Sequence, residues 1–260
     1  MGEVIPFSKK GKNELIIKRR RKKRIKKSII FLIFLISIMT TLCLKHPFFN
    51  LGEIKVQGNK NIPALKVEEF SGLHKGDNIF YVNIDKAKEG IKRNPYILDV
   101  SIKRKLPSTI VIQISEREAV FYGKTGENYV IIDKYGVVLE KKKDIKGMNL
   151  VRLQGFDIDK SNIGEVIKVD NERKVKVVTT LSKLFKDKKD NYSIALVDLS
   201  DINNIKFFYK NIIIKVGNDE ELDEKLNKAF NIILQKDELK NAKGYIDVGF
   251  KGNPVVFIED

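Results

Sequence analysis

Histidine and serine are the residues with which this sequence could bind a metal or attack a substrate. The two histidines, His46 and His74, lie far apart, so a two-histidine metal site would require these distant positions to come together. Ser71 lies near His74, but no Gly-x-Ser-x-Gly turn presents a serine nucleophile. We therefore expect no metal site, no cofactor and no catalytic serine, and we expect His46 beside the membrane and His74 in a loop.

A Gly-Lys-Thr tripeptide at residues 123–125 resembles the end of a phosphate-binding loop. The first glycine of such a loop would fall at position 118, where the chain has Glu118. Because the backbone cannot then wrap a phosphate, residues 123–126 are predicted as a hairpin turn. Asp187 and Asp190 form a carboxylate pair in a charged stretch, where solvation is the expected role. Carboxylates alone can hydrolyse glycosides, so an enzyme stays open as an alternative.

A membrane segment must position everything that follows it. Residues 28–44 carry no charge and hold eleven Ile, Leu and Phe residues in seventeen. These supply on the order of 5 kcal/mol toward insertion, and the helix would rise about 25 Å. No small-residue cleavage site follows, so we expect an uncleaved transmembrane helix, with Cys43 inside it and no disulfide beyond it.

The charge distribution predicts the direction of this helix. Residues 1–27 carry twelve Lys and Arg against two Glu, which is +10 of the chain's net charge of +16. A basic segment beside a membrane span stays in the cytoplasm, so residues beyond 44 are expected outside the cell. Because most of the charge lies next to the membrane, the basic composition does not indicate nucleic-acid binding.

The fold class predicted for the exported part is α+β. Residues 48–117 show the order strand, helix, helix, strand, strand, with the second helix capped by Asp85. Residues 118–260 are predicted as a mixed, β-rich second domain with two helices, one after Asp170 and one opened by Asp219. Its predicted strands cover residues 119–122, 129–133, 137–140, 192–199, 205–209, 212–216, 244–250 and 255–258.

Three sequence stretches carry a resemblance to a known family. They are the entry at residues 49–59, the hairpin at 95–109 and the exit Ile-Ser-Glu-Arg-Glu-Ala at 114–119. The layout resembles a POTRA domain, and its place after a single anchor resembles the FtsQ/DivIB cell-division family. Some relatives carry a long disordered tail, whereas this chain stops at Asp260.

The resemblance implies a domain plan and a function. It divides the chain into a basic cytoplasmic tail (1–27), a transmembrane helix (28–44), a POTRA domain (48–117) and an FtsQ/DivIB-type β domain (118–260). It implies a non-catalytic scaffold at the division septum that binds FtsB/DivIC-like and FtsL-like single-pass proteins. Such a scaffold helps to control the septal peptidoglycan-synthesis complex.

The partner site is predicted at a strand edge near the C-terminus, because unpaired N–H and C=O groups there can accept a partner's strand. The residues expected to bind the partner are Tyr245, Asp247, Gly249, Phe250 and Lys251. Ile246, Val248 and Phe250 could instead all fill the core. The alternative functions are a membrane-anchored cell-wall enzyme and a POTRA-type chaperone of exported proteins.

Overall fold

The computed structural model describes residues 9–187 and 194–259, and its first element is the long helix α1 (Lys9–Leu44). Its segment Ile17–Leu42 is long and apolar enough to cross a membrane, and none of it is buried in the protein. This single N-terminal transmembrane helix was predicted from residues 28–44. The basic residues from 9 to 27 continue the same helix without a break, while residues 1–8 of the predicted tail lie outside the described part.

The segment after the membrane helix forms a small module with the predicted order of elements. These are β1 (Glu53–Gln57), α2 (Ala64–Ser71), α3 (Ile84–Lys92), β2 (Ile97–Lys105) and β3 (Thr109–Glu116). The three strands form one sheet in the order β1-β3-β2. Alternate residues of β3 are buried, because successive side chains of a strand point to opposite faces. Asp85 is the second residue of α3, so it adds negative charge to the first turn and is not the predicted cap.

The second part of the chain builds a sheet of nine strands. They are β4 (Ala119–Thr125), β5 (Asn128–Asp133), β6 (Val138–Lys142), β7 (Val151–Gln154), β8 (Ile194–Asp198), β9 (Ile205–Tyr209), β10 (Ile212–Gly217), β11 (Gly244–Asp247) and β12 (Val255–Ile258). Their order is β12-β11-β10-β9-β8-β7-β4-β5-β6. Two helices, α4 (Arg173–Asp187) and α5 (Leu222–Gln235), accompany the sheet. The fold is therefore α+β with a mixed, β-rich second part, as predicted.

One hydrophobic core joins both helices to the sheet. Leu181 of α4 and Phe230 of α5 lie in the same cluster as residues of β9, β10 and β11, namely Phe207, Ile214 and Ile246. The next residues along these strands, such as Ile213 and Tyr245, are only half-buried. Because side chains alternate along a strand, both helices cover the same face of the sheet.

The central strand β7 was not predicted. It pairs in parallel with β4 on one side and with β8 on the other, so it joins the two halves of the sheet. β10 and β11 also pair in parallel, whereas the edge strand β12 pairs antiparallel with β11. Such parallel neighbours are distant in sequence and leave no hairpin signal.

Several predicted boundaries are wrong. Residues 123–125 belong to β4, and the hairpin turn lies at residues 126–127. The helix expected at Asp219 begins at Leu222, since Asp219 instead pairs with Arg173. The strand expected over 244–250 ends at Asp247. The predicted strand start at residue 192 and Asp190 lie outside the described residues.

Candidate functional site

Strand β11, beside which a partner strand was predicted to pair, has no free edge. It lies between β10, with which Tyr245 pairs through Ile213, and β12, with which Tyr245 pairs through Phe257. All backbone pairing beside Tyr245 is therefore provided by the chain itself. A partner strand cannot add there without displacing β12, and this part of the prediction is wrong.

The five predicted site residues take two different roles in the structure. Tyr245 stacks on Phe257, with ring centroids 5.3 Å apart, and Lys215 Nζ lies 3.6 Å from the Tyr245 ring centroid. Asp247 accepts a hydrogen bond at its Oδ1 from the backbone N–H of Gly249 at 2.9 Å, which turns the chain out of β11.

Phe250 and Lys251 follow in a bend, and both are exposed. Phe250 is 50% exposed, so the alternative prediction that it fills the core is wrong. Ile246 and Val248 are buried, and that part of the alternative is confirmed. Tyr245, Phe250 and Lys251 are thus the predicted residues that a partner could contact.

The free edge of the sheet at this end is β12, which sequence reasoning did not identify as the site. Val255, Phe257 and Ile258 have large exposed fractions of 45%, 47% and 38%. Glu259 N–H donates to Lys243 O at 2.8 Å. Because the N–H groups of an antiparallel edge strand face its neighbour at every second residue, those of Phe257 and Val255 also face β11. The backbone N–H and C=O groups of Val256 and Ile258 therefore point away from the sheet.

The opposite edge, β6, is less available. Its first residue, Val138, donates to Glu165 O at 2.9 Å and accepts from Gly164 N–H at 2.8 Å. Lys141 and Lys142 occupy its last two positions and are exposed. Exposed lysines and a covering segment are common protections of an edge strand. Of the two edges of this sheet, β12 is the apolar one, and no described residue hydrogen-bonds to its outward backbone groups.

A groove runs between α5 and β12. It has a volume of about 360 Å³ and is lined by residues of both elements and of the positions next to them: Lys228, Asn231, Ile232, Lys236, Pro254 and Val256. Two lysines border an apolar floor formed by Ile232 and Val256. The groove and the β12 edge can therefore receive a segment that carries both apolar and acidic side chains.

The residues considered for catalysis hold local structure. His46 Nδ1 accepts from Phe48 N–H at 3.2 Å, and exposed His74 Nδ1 lies 3.8 Å from Asp77. Ser71 Oγ donates to Glu68 O at 2.6 Å. Among residues 9–187 and 194–259, no group of three His, Cys, Asp or Glu side chains is placed to hold a metal ion.

Arg117 of the exit motif forms an ion pair with a buried carboxylate. Arg117 Nη1 donates to Asp133 Oδ2 at 2.7 Å, and the side chain of Asp133 is 1% exposed. Asp133 Oδ1 also accepts from the N–H groups of Tyr135 and Val137, each at 2.8 Å. Every carboxylate oxygen is thus hydrogen-bonded, which a buried charge requires.

A second polar contact lies in the compact unit that contains Arg117 and Asp133. This unit comprises residues 56–71, 85–101 and 113–260. Tyr96 donates its O–H to Glu140 at 2.5 Å. Burial of the phenol, together with the Glu140 carboxylate, raises the pKa of Tyr96 well above its ordinary value. The hydroxyl therefore stays protonated and serves as a donor.

Comparisons with known proteins agree with this architecture. Residues 49–117 match the family model of the FtsQ-type POTRA domain, and residues 121–248 match that of the C-terminal region of cell division protein FtsQ/DivIB. Cell division protein DivIB of Clostridium tetani is 49% identical over the whole chain and 97% of the relative. DivIB of Clostridium botulinum is 45% identical over 95% of this chain and 96% of the relative, and DivIB of Clostridium acetobutylicum is 47% identical over 96% and 99%. The chain belongs to the FtsQ/DivIB family of cell division proteins.

Proposed function

We propose that this protein is a bitopic scaffold of the division machinery, which acts at the septum and catalyses no reaction. It binds FtsB/DivIC-like and FtsL-like single-pass proteins and so helps to assemble or regulate the septal peptidoglycan-synthesis complex. The observation that carries this proposal is the uncovered apolar edge β12, in a chain whose described residues place their candidate catalytic groups in structural hydrogen bonds.

The partner adds a strand to β12. The outward N–H and C=O groups of Val256 and Ile258 supply the backbone bonds, and such bonds give a strand-addition complex much of its affinity. The exposed side chains of Val255 and Phe257 supply apolar contact area. Tyr245 lies directly behind Phe257, so it supports that ring in the complex.

The charge of the site selects an acidic partner. Lys228 and Lys236 border the groove beside β12, and Lys251 is exposed in the bend that precedes the strand. Opposite charges steer partners toward one another and disfavour basic competitors. The predicted site residues thus contribute at the border: Tyr245, Phe250 and Lys251 by contact, and Asp247 and Gly249 by shaping the bend.

The proposal includes an arrangement across the membrane. Residues 1–27 lie in the cytoplasm, because a basic segment that precedes an apolar span stays on that side of the membrane. Residues 48–117 and 118–260 then act as two modules outside the cell. This arrangement presents β12 to partners that are themselves anchored by a single helix.

A proline substitution tests the edge. Ile258→Pro removes one outward N–H and leaves the pairing with β11 intact, and proline is tolerated on an edge strand whose N–H faces solvent. We expect the full-length Ile258→Pro protein to fold but to recover much less of the DivIC-like and FtsL-like proteins in a pull-down from membranes. Ile258→Ala, the matched control for the lost side chain, keeps most of the recovery. Equal recovery by wild type and Ile258→Pro would exclude β12 as the partner edge.

Side-chain substitutions test the border of the site. Tyr245→Ala removes the ring behind Phe257, and Asp247→Ala removes the acceptor that fixes the bend. Both are expected to weaken partner recovery in the same pull-down. Full affinity in both variants would show that Tyr245 and Asp247 are not part of the site. The role of β12 as the partner edge would still be tested by Ile258→Pro.

A further inference from the structure

The loop after α2 reaches back to the end of the membrane helix. Asn78 Nδ2 donates a hydrogen bond to the carbonyl of Leu44, the last residue of α1, at 2.8 Å. The backbone N–H of Ile79 donates to Phe49 O at 2.9 Å, so this loop is paired with the segment that leaves the membrane. Residues of the loop therefore lie at the end of α1 although they follow it at a distance in the chain.

The turn between β2 and β3 is fastened to the same place. Arg104 donates from Nε to Ile79 O at 2.6 Å and from Nη2 to Val82 O at 2.9 Å. Gly52 N–H donates to Ser108 O at 2.9 Å. The membrane helix, this loop and this turn belong to one compact unit.

This end of the unit exposes large apolar side chains. Phe48 is 61%, Tyr81 60% and Leu106 57% exposed. They come from three segments of the chain that the bonds above hold together. Exposed lysines accompany them on each segment: Lys45, Lys75 and Lys105. Apolar and aromatic side chains mixed with cations are typical of surfaces that lie in a membrane interface.

The length of the apolar segment explains why a membrane would reach these residues. Residues 28–44 rise about 25 Å as a helix, whereas the hydrocarbon core of a bilayer is about 30 Å thick. Headgroups add roughly 5 to 8 Å on each side. The residues that lie at the end of α1 must therefore occupy the headgroup region.

We propose that Phe48, Tyr81 and Leu106 insert into the headgroup region of the leaflet at the C-terminal end of α1, with Lys75 and Lys105 on lipid phosphates. The partner is the phospholipid bilayer itself, with a preference for anionic headgroups. The small module is thereby held against the membrane and does not swing freely on its anchor.

Tryptophan fluorescence tests the proposal without background, because the sequence has no tryptophan. Leu106→Trp is placed in the full-length protein, reconstituted in protein-free vesicles of phosphatidylcholine and phosphatidylglycerol. We expect its emission to shift to shorter wavelength, to be quenched by lipids brominated on their acyl chains and to be protected from acrylamide. Phe34→Trp in α1 gives the response of a ring in lipid, and Phe250→Trp gives the acrylamide response of an exposed ring.

Tyr81→Trp repeats the measurement should Leu106→Trp misfold. Acrylamide quenching equal to that of Phe250→Trp, with no effect of brominated lipid, would overturn the proposal. The lipid preference has its own test: Lys75→Glu with Lys105→Glu should lower the brominated-lipid quenching of Leu106→Trp when phosphatidylglycerol is present and less in phosphatidylcholine alone. If the two substitutions lowered the quenching by the same amount in both lipids, or did not lower it, the role assigned to the lysines would be overturned.

Discussion

Glu116 of the exit motif ties the end of β3 to the start of the module. Its carboxylate accepts from the backbone N–H groups of Lys60, Asn61 and Ile62 at 2.7, 3.0 and 3.1 Å. Burial by itself raises the pKa of Glu116, but these N–H donors outweigh it and hold the pKa below its ordinary value. The ionised carboxylate is therefore the form that stabilises the fold.

Glu116→Gln is expected to lower the free energy of unfolding at pH 7, because the hydrogen bonds to the side chain lose their charge. The expected decrease is only about 1 kcal/mol, because the group is partly exposed to solvent. A lowered pKa gives stability that is present above the unfolded value, near 4.3, and is lost as the pH falls through the folded value. The difference between wild type and variant should thus shrink below about pH 4. Urea unfolding of residues 46–260 across this range measures it, with Glu118→Gln as the control at an exposed neighbour. A difference that stays constant with pH would contradict the charge-based account.

Contacts between distant residues are the part of the site that the sequence could not supply. Arg117 was noted as a piece of the exit motif, but its partner Asp133 lies on β5 and is brought to it by the β4–β5 hairpin. The exposed ring of Phe257 and the outward N–H of Ile258 likewise depend on the pairing of β12, which alternation alone does not specify.

At the scale of elements, local patterns predicted most helices and strands. Alternation found β9 and β12 with their exact bounds, and the helix predicted near Asp219 is α5, displaced by three residues. Elements whose partners are remote were harder. β7 has four residues and two parallel neighbours, so neither its length nor a hairpin turn marked it.

Leu153 of β7 tests the importance of this unpredicted strand. Its side chain is 2% exposed in the core that both helices share. Leu153→Ala is expected to lower the free energy of unfolding of residues 46–260 by about 2 to 5 kcal/mol, because it removes apolar contacts and leaves a cavity. Leu234→Ala, the same substitution at a residue that is 47% exposed, should change it by no more than about 0.5 kcal/mol. Similar values for the two variants in urea unfolding would show that β7 does not join one cooperative core.

At the scale of the whole molecule, one helix combines the anchor and the basic segment. α1 continues from Lys9 to Leu44 without interruption, so the cations are held on the same rigid element as the apolar residues. A Lys or Arg near an anionic membrane surface contributes about 1 kcal/mol. The many cations before residue 28 therefore outweigh Lys45 on the other side.

From this imbalance we expect the N-terminus in the cytoplasm and the residues beyond 44 outside the cell. Protease added to intact cells should digest a tag placed after residue 260 and leave a tag before residue 1 protected. Replacing Lys22, Lys23 and Arg24 by Glu reduces the cationic excess and should lower the fraction of protein in this orientation, while Lys45→Glu, which removes the cation on the other side, should not. The measurement is the fraction of each tag that survives, with lysed cells showing that both tags can be cut. A protected C-terminal tag in wild type would place β12 in the cytoplasm, where it could not meet the septal synthesis complex.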